Sequence, residues 1–428
     1  MKKHSLFRTV WQINLFGKTS FPCLKIHSLI LLFCSVNFVN AQELEALIET
    51  ALERNPEVQK YELQYGVALE KINEARALPN TDFKFGVPIS SPETRTGPQR
   101  VQIAAKQRIP WFGVVTARRN YAATLAEAQY EEVAVAKRKL IASVSKSYYE
   151  LQKLKTKQEI LKKQMVLLQT YETLALNAIA IGKASAVDVL KLQIRQNELQ
   201  QLDKIVEHQY KIEESKCNAL LNYDSSHTIE ITDALDILEK EQEVMLENLV
   251  LHPELLRYDK LFQSIEQSEL LHQKEQKPDI AFGLDYALVQ EGPITTFNDN
   301  GKDILIPSVS LSFPIFNTKH SSKVRQNALK RKALQAEKEE RKNVLETLLE
   351  QAIHHRMIAR IGHETAVKNI KQAKDAETIL LKKYETETID FNAIIEIQEL
   401  QLKFQLLKIQ RIADYYIQTT IIDYLTQQ

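Results

Sequence analysis

The fold of this chain is decided at Arg100–Gly113, which reads RVQIAAKQRIPWFG. Before the proline, apolar and polar side chains alternate, with Val101 and Ile103 on one face, and this period of two is typical of a β-strand with one apolar side. Pro110 lacks a backbone donor and ends the strand. The next proline is Pro253. Because proline breaks helices, this gap predicts a strand that leads directly into a very long helix.

Proline and glycine are scarce in the whole chain, with 12 and 10 among 428 residues, where about 21 and about 30 would be average. Two proline-free runs, Trp111–His252 and Ile315–Gln428, predict helices of about 70 residues and roughly 100 Å each. Helices of this length favour coiled-coil packing over a globular core. We place the long helices at Val114–Ile181 and Asn317–Glu385, and shorter ones at Gln42–Ala77 and Ala186–Leu221.

The two halves of the chain are diverged copies of each other. Asn55-Pro56-Glu57 recurs as His252-Pro253-Glu254, and Arg108–Phe112 recurs as Ser312–Phe316, at offsets of 197 and 204 residues. Each half therefore consists of a helix, a strand pair and a long helical hairpin. The predicted organisation is a signal peptide at 1–41, a first repeat at 42–222 (strands within 81–109, hairpin 114–221), a linker at 223–245 and a second repeat at 246–428 (strands within 279–313, hairpin 317–425).

All four predicted strands have one apolar face and one polar or small face. The alternation at Thr81–Val87 and Arg100–Ile109 is repeated at Asp279–Leu288 and Leu305–Phe313. These lengths approach the 9–11 residues of a tilted membrane strand, although a half-buried hairpin in a soluble domain would also alternate. If the apolar faces contact lipid, the barrel lumen is lined by Arg100, Lys106 and Arg108.

The first 41 residues have the pattern of a secretory signal peptide. A basic segment precedes the apolar run Leu29–Val36, and Val39-Asn40-Ala41 forms a small-residue cleavage site. Lipidation at Cys34 stays open as an alternative. This segment holds five bases and no acid, so its removal leaves 51 bases against 55 acids and changes the net charge from +1 to −4.

Several classes of function are disfavoured by the composition. A net negative chain has no basic surplus for nucleic acid, and Cys217 is the one cysteine beyond the leader, so no zinc-type cysteine spacing exists. His354 and His355 diverge by about 100° on a helix and cannot converge on one metal ion. No catalytic or phosphate-binding motif occurs. We therefore expect a non-enzyme without a cofactor or a metal site.

The strand count requires more than one copy of the chain. Four strands do not close a barrel, and unpaired strand edges are not tolerated in lipid. Several protomers must share one barrel, with twelve strands in a trimer or eight in a dimer. The predicted fold class is an α+β membrane protein with internally duplicated helical hairpins.

Four stretches of the chain form a characteristic series: Asn55–Glu57, Gln107–Gly113, Gly182–Leu190 and Phe313–Phe316. In these stretches the chain resembles the TolC-type outer-membrane efflux proteins, and within them the heavy-metal branch of the CusC and CzcC type. The resemblance implies a homotrimer with a twelve-stranded barrel in the outer membrane of a Gram-negative cell. It also implies a periplasmic helical tunnel, a periplasmic adaptor and an inner-membrane pump of the RND or ABC type. The family usually has glycine where this chain has Glu387.

The two helical turns are the far ends of the implied tunnel. Gly182 permits a sharp reversal, Ser185 can cap the returning helix and Asp188 suits its positive end, so a purely structural role stays open. By resemblance, the adaptor docks at Gly182, Ser185, Asp188, Val189, Leu190, Asp390 and Ile394. Acidic rings could also gate the pore, at Asp188, Glu385, Glu387 and Asp390, with solvated surface acids as the alternative.

The runner-up function is a periplasmic coiled-coil adaptor or scaffold of an export complex. Such a protein would have one helical hairpin between glycine-rich β-domains. Two hairpins and two matched strand pairs favour a passive exit duct.

Overall fold

The computed structural model describes residues 39–90, 92–180, 185–231, 235–237, 246–293, 298–313, 318–385 and 391–426. Two hairpins of long helices form most of it, and one antiparallel sheet lies at the opposite end from the hairpin turns. The helices are α1 (Val39–Arg54), α2 (Pro56–Glu74), α3 (Val114–Ala180), α4 (Ala186–Leu221), α5 (Pro253–Lys274), α6 (Lys319–Glu385) and α7 (Asn392–Thr426). The strands are β1 (Thr81–Gly86), β2 (Glu93–Thr94), β3 (Gly97–Ile109), β4 (Asp279–Val289) and β5 (Ile304–Ser312), and a 3₁₀ helix spans Leu246–Leu251.

The long helices α3 and α6 are each 67 residues long, which confirms the predicted hairpins. Their buried residues recur every seven positions. This heptad spacing is the pattern of left-handed coiled-coil packing. The buried positions are Leu154, Leu161, Leu168 and Ala175 on α3, and Leu345, Ala352, Ala359, Ala366 and Ala373 on α6.

Helix α3 organises the protomer, because it contacts α2 and α4 of its own half and α5 and α7 of the other half. Helix α6 packs on α7 and α5. Within each half, two short helices therefore follow one another along a long helix. We call the one that returns from the hairpin turn the lower helix (α4 or α7) and the one that leads into the sheet the upper helix (α2 or α5). The protomer is a bundle of two halves joined along α3.

The sheet has the strand order β1-β3-β4-β5, with every pair antiparallel and β2 paired to the start of β3. Its register places one residue of each strand on a common line: Phe85 faces Ile103, Ile103 faces Tyr286, and Tyr286 faces Leu305. Because facing residues share a side of the sheet, most of the large apolar residues of the four strands form one face, although Ile304 and Ile306 of β5 lie on the opposite face. The predicted alternation is confirmed.

The structure differs from expectation at three local points. The helix expected at Gln42–Ala77 is interrupted at Asn55, whose extended backbone (φ −66°, ψ 123°) is the conformation that a following proline imposes. The loop before β3 contains the short strand β2. Between Gln99 and Val101 the register shifts, so Arg100 lies in an irregularity instead of the regular alternation.

No helix in these described ranges is long and apolar enough to cross a bilayer.

Several predicted residues lie outside the described ranges. They include nearly all of the leader, Gly182 and Glu387 at the two turns, and Asp390. Glu385 ends α6, but its side chain is not described.

Candidate functional site

Helix α4, which follows the reversal of the first hairpin, begins with a capping box. The Ser185 hydroxyl accepts a hydrogen bond from the Val187 backbone N–H at 3.1 Å, and the Asp188 carboxylate accepts one from the Ser185 backbone N–H at 3.1 Å. Asp188 is only 8% exposed. Within the protomer, its carboxylate therefore stabilises the turn, as the structural interpretation of the sequence expected.

The remaining predicted tip residues divide between core and surface. Val189 and Ile394 are buried in one apolar cluster with Phe391, which joins α4 to the start of α7. Leu190 points outward and is 56% exposed. Val187 and Ile194 are similarly exposed, and at this spacing the three side chains lie along one side of α4. We call Val187, Leu190 and Ile194 the tip stripe; the sequence interpretation had missed its outer two members.

Next to the tips, a polar network inside the core links the two hairpins. Glu377 on α6 accepts a hydrogen bond from the Tyr171 hydroxyl of α3 at 2.8 Å, and from Gln401 of α7 at 2.7 Å. Gln398 donates to the same carboxylate, and its side-chain oxygen accepts from Gln164 of α3 at 3.1 Å. Burial, followed by the hydrogen bond to Glu377, raises the pKa of the Tyr171 hydroxyl.

This network was missed because each of its members looks like an ordinary polar residue on an amphipathic helix. The available signal was the heptad: Gln398 lies three residues beyond Ile395 and four before Leu402, and both of these are buried. Since buried polar groups must find partners, the network fixes how the first hairpin sits against the second.

On the sheet, the face opposite the apolar one carries two of the three predicted cationic residues. Lys106 faces Gly283 and Arg108 faces Ala281. Arg100, displaced by the irregularity, instead donates a hydrogen bond to the Gln290 side chain. The structure therefore keeps Lys106 and Arg108 on a common polar face and gives Arg100 a separate local environment.

A further polar centre, not predicted from the sequence, lies where α5 begins beside the end of α7. The Glu254 carboxylate accepts a hydrogen bond from Arg341 of α6 and another from the Tyr424 hydroxyl at 2.7 Å, and lies 3.5 Å from the Lys139 ammonium of α3. Burial alone would raise the pKa of Glu254, but these hydrogen bonds and positive charges outweigh it and lower the pKa to about 2. Four helices are thus joined by one carboxylate.

No group of three or more histidine, cysteine or acidic side chains in the described part of the chain could hold a metal ion. Four tyrosines of α3 and α7 contact one another. Tyr149 stacks on Tyr416 with ring centroids 5.0 Å apart, while Tyr148 and Tyr415 meet those two rings edge to face.

Comparisons with known proteins agree with this arrangement. Residues 47–222 match a family model described as outer membrane efflux protein. No curated protein matches the chain.

Solved structures match nearly the whole fold. CusC, whose crystal structures concern folding and transmembrane channel formation, matches with a TM-score of 0.75 at 10% identity, over 90% of this chain and 92% of the CusC chain. A membrane protein from Pseudomonas aeruginosa matches at 0.74 and 14% identity, over 90% and 92%. The outer membrane protein VceC from Vibrio cholerae matches at 0.70 and 14% identity, over 90% and 96%.

Proposed function

We propose that this chain, a TolC-type outer-membrane efflux protein by its fold and by the sequence of residues 47–222, forms the passive exit duct of a tripartite efflux or type I secretion system. Three copies would place their strands in one twelve-stranded barrel in the outer membrane. The helical hairpins would form a periplasmic tunnel that reaches a periplasmic adaptor and an RND- or ABC-type inner-membrane pump. The pump would supply the energy.

The observation that carries this proposal is the sheet. Its apolar face is exposed on all four long strands, with Phe85 74% exposed, and β1 and β5 at its edges are paired on one side only within the described residues. Exposed apolar surface and open edges both require a cover. Pairing of β5 of one copy with β1 of the next would close the edges, and lipid would cover the face. Lys106 and Arg108 would then line the lumen.

Cell fractionation with crosslinking tests the proposal. We expect the exported protein in the outer-membrane fraction as a trimer, and we expect its deletion to abolish export by the pump that it serves. Recovery as a soluble periplasmic protein would contradict the duct and favour the adaptor or scaffold instead.

The tip stripe is the proposed adaptor-docking surface, since it is apolar, exposed and next to the tunnel end. Changing Leu190 to glutamate is expected to lower export at least about tenfold, because a charge on an apolar contact costs on the order of 1–3 kcal/mol. Resistance of cells to the exported compound measures this. Leu190→Met, which keeps the contact apolar, is the control and should export normally. Normal export by a Leu190→Glu trimer would remove the docking assignment.

The acidic gate remains part of the same proposal. The Asp188 carboxylate already accepts a hydrogen bond in the capping box. A gate formed by three Asp188 carboxylates would therefore use groups that also stabilise the turn. We expect Asp188→Ala to lose export through a disordered tip while the barrel still assembles.

A further inference from the structure

Each half of the chain has a joint at which its upper helix starts beside the end of its lower helix. In the first half, Asn55 makes the joint. Its side-chain oxygen accepts hydrogen bonds from the backbone N–H groups of Glu57 at 2.9 Å and Val58 at 3.3 Å, which caps α2. Its side-chain nitrogen donates to the Leu220 carbonyl at the end of α4 at 2.9 Å. One buried amide, 6% exposed, thus binds both helix ends.

In the second half, His252 holds the equivalent position. It precedes Pro253-Glu254 as Asn55 precedes Pro56-Glu57, and its backbone is extended in the same way. Its Nδ1 accepts a hydrogen bond from the Glu254 backbone N–H at 3.3 Å, and its ring meets Tyr424 of α7 edge to face at 5.0 Å. The side chain is fully buried. A neutral imidazole with its proton on Nε2 therefore caps α5 as the amide oxygen of Asn55 caps α2. Its buried Nε2 makes no hydrogen bond within the described residues, so the ring meets α7 through its contact with Tyr424 instead.

We propose that the joint at His252 is an acid-labile hinge, whereas its copy at Asn55 holds at every pH. A proton on Nδ1 would turn the acceptor into a donor that faces another donor, the Glu254 N–H. Helix α5 would lose its N-cap at that moment. An amide has no such titration.

The groups around His252 disfavour its protonated form. The charged and titratable groups around the ring come from all four helices: Arg138 and Lys139 on α3, Glu254 on α5, Arg341 on α6 and Tyr424 on α7. Glu254 attracts an imidazolium, but Arg341, Tyr424 and Lys139 already share its carboxylate. Burial first, and then the charges of Arg138 and Arg341, lower the pKa of His252 to about 4.

The sign of the pH dependence follows from linkage. The ordinary pKa of histidine is 6.5, so below that pH the opened joint binds a proton that the closed joint refuses. The stability of the closed joint is complete above about pH 6.5 and falls as the pH drops toward 4. At neutral pH the hairpin α6–α7 stays anchored to α5; in acid this anchor weakens while the first half is unaffected. The hinge is a property of the folded chain and does not depend on the proposed duct.

Amide hydrogen exchange on the purified full-length protein at pH 7 and pH 4, corrected for intrinsic rates, tests the hinge. We expect protection in residues 249–258 to fall at least about tenfold in acid, since each unit of pKa depression contributes a factor of ten. Protection in residues 52–61 should stay within about twofold. His252→Asn should abolish the acid loss, and Asn55→His should transfer it to residues 52–61.

The proposal is overturned if residues 249–258 keep their protection at pH 4, or if His252→Asn loses it as the native chain does. Should the His252 variant fail to fold, Asn55→His decides: an unchanged acid response in residues 52–61 would contradict the mechanism.

Discussion

A Phe85→Arg protein is expected to be exported but not to insert into the outer membrane. Phe85 lies on β1 in the apolar face of the sheet, beside Ile103, and is 74% exposed within the protomer. If this face contacts lipid, an arginine there costs about 2–4 kcal/mol near the bilayer midplane. Three copies would bring the cost to roughly 6–12 kcal/mol per trimer. Membrane fractionation and the trimer band on a gel measure the outcome.

The neighbouring residue provides the matched control. Lys84 points to the other side of the same strand, on the line shared with Ala104 and Asp285. Lys84→Ala should insert and form trimers as the native chain does, because this face would line an aqueous lumen. Equal insertion of the Phe85→Arg and Lys84→Ala proteins would place the apolar face away from lipid and contradict the barrel.

The second large effect is expected for Glu254→Gln, which should lower the free energy of unfolding by about 2–3 kcal/mol. The change leaves the Arg341 guanidinium without its carboxylate in a partly buried site. A fully buried pair would cost roughly 3–5 kcal/mol, and we reduce that figure because the Arg341 side chain is 32% exposed. Denaturant or thermal unfolding of the purified protein, followed by circular dichroism, measures the loss.

Glu57 is the control that the repeat itself supplies. It occupies the same place after a capping residue and a proline, but its side chain is exposed. Glu57→Gln should therefore change stability by less than about 0.5 kcal/mol. Equal losses in both variants would show that position in the motif, and not the contacts of Glu254, sets the cost.

The pH dependence separates Glu254 from His252. Glu254 has its pKa lowered from 4.5 to about 2, so its contribution to stability is complete above pH 4.5 and is lost as the pH falls toward 2. The His252 window lies between pH 6.5 and 4. Glu254→Gln should remove the loss of stability between pH 4.5 and 2 that Glu254 causes. The loss that His252 causes below pH 6.5 should remain, because Glu254 raises the pKa of His252 and its removal does not relieve the burial of the ring.

Much of the architecture was predictable from the sequence because its signals are local. The proline at position 110 ends a strand, the absence of prolines permits α3, and the alternation of Val101 and Ile103 marks one face. The capping role of Ser185 and Asp188 was predictable for the same reason, since the atoms involved lie within three residues of each other.

The polar centres were not predictable in this way. Tyr171 and Glu377 are 206 residues apart in the chain, and Tyr424 and Glu254 are 170 apart. Heptad spacing predicts which side of a helix is buried, but it does not predict which polar group of another helix will contact that side. The difference between Glu57 and Glu254 is likewise invisible in the motif that they share.

The sequence by itself determined the elements of this protein: two diverged copies of a strand pair and a long helical hairpin, with one apolar side on every strand. Periodicity and proline placement suffice for that, because they act through the geometry of neighbouring residues. Only the tertiary structure decided which carboxylates and rings meet between helices. It also decided that the glutamate of one copy of the capping motif makes contacts with other helices while the glutamate of the other copy does not. Burial and charge pairing depend on the packing of distant segments, and packing made Glu254 a junction and left Glu57 at the surface.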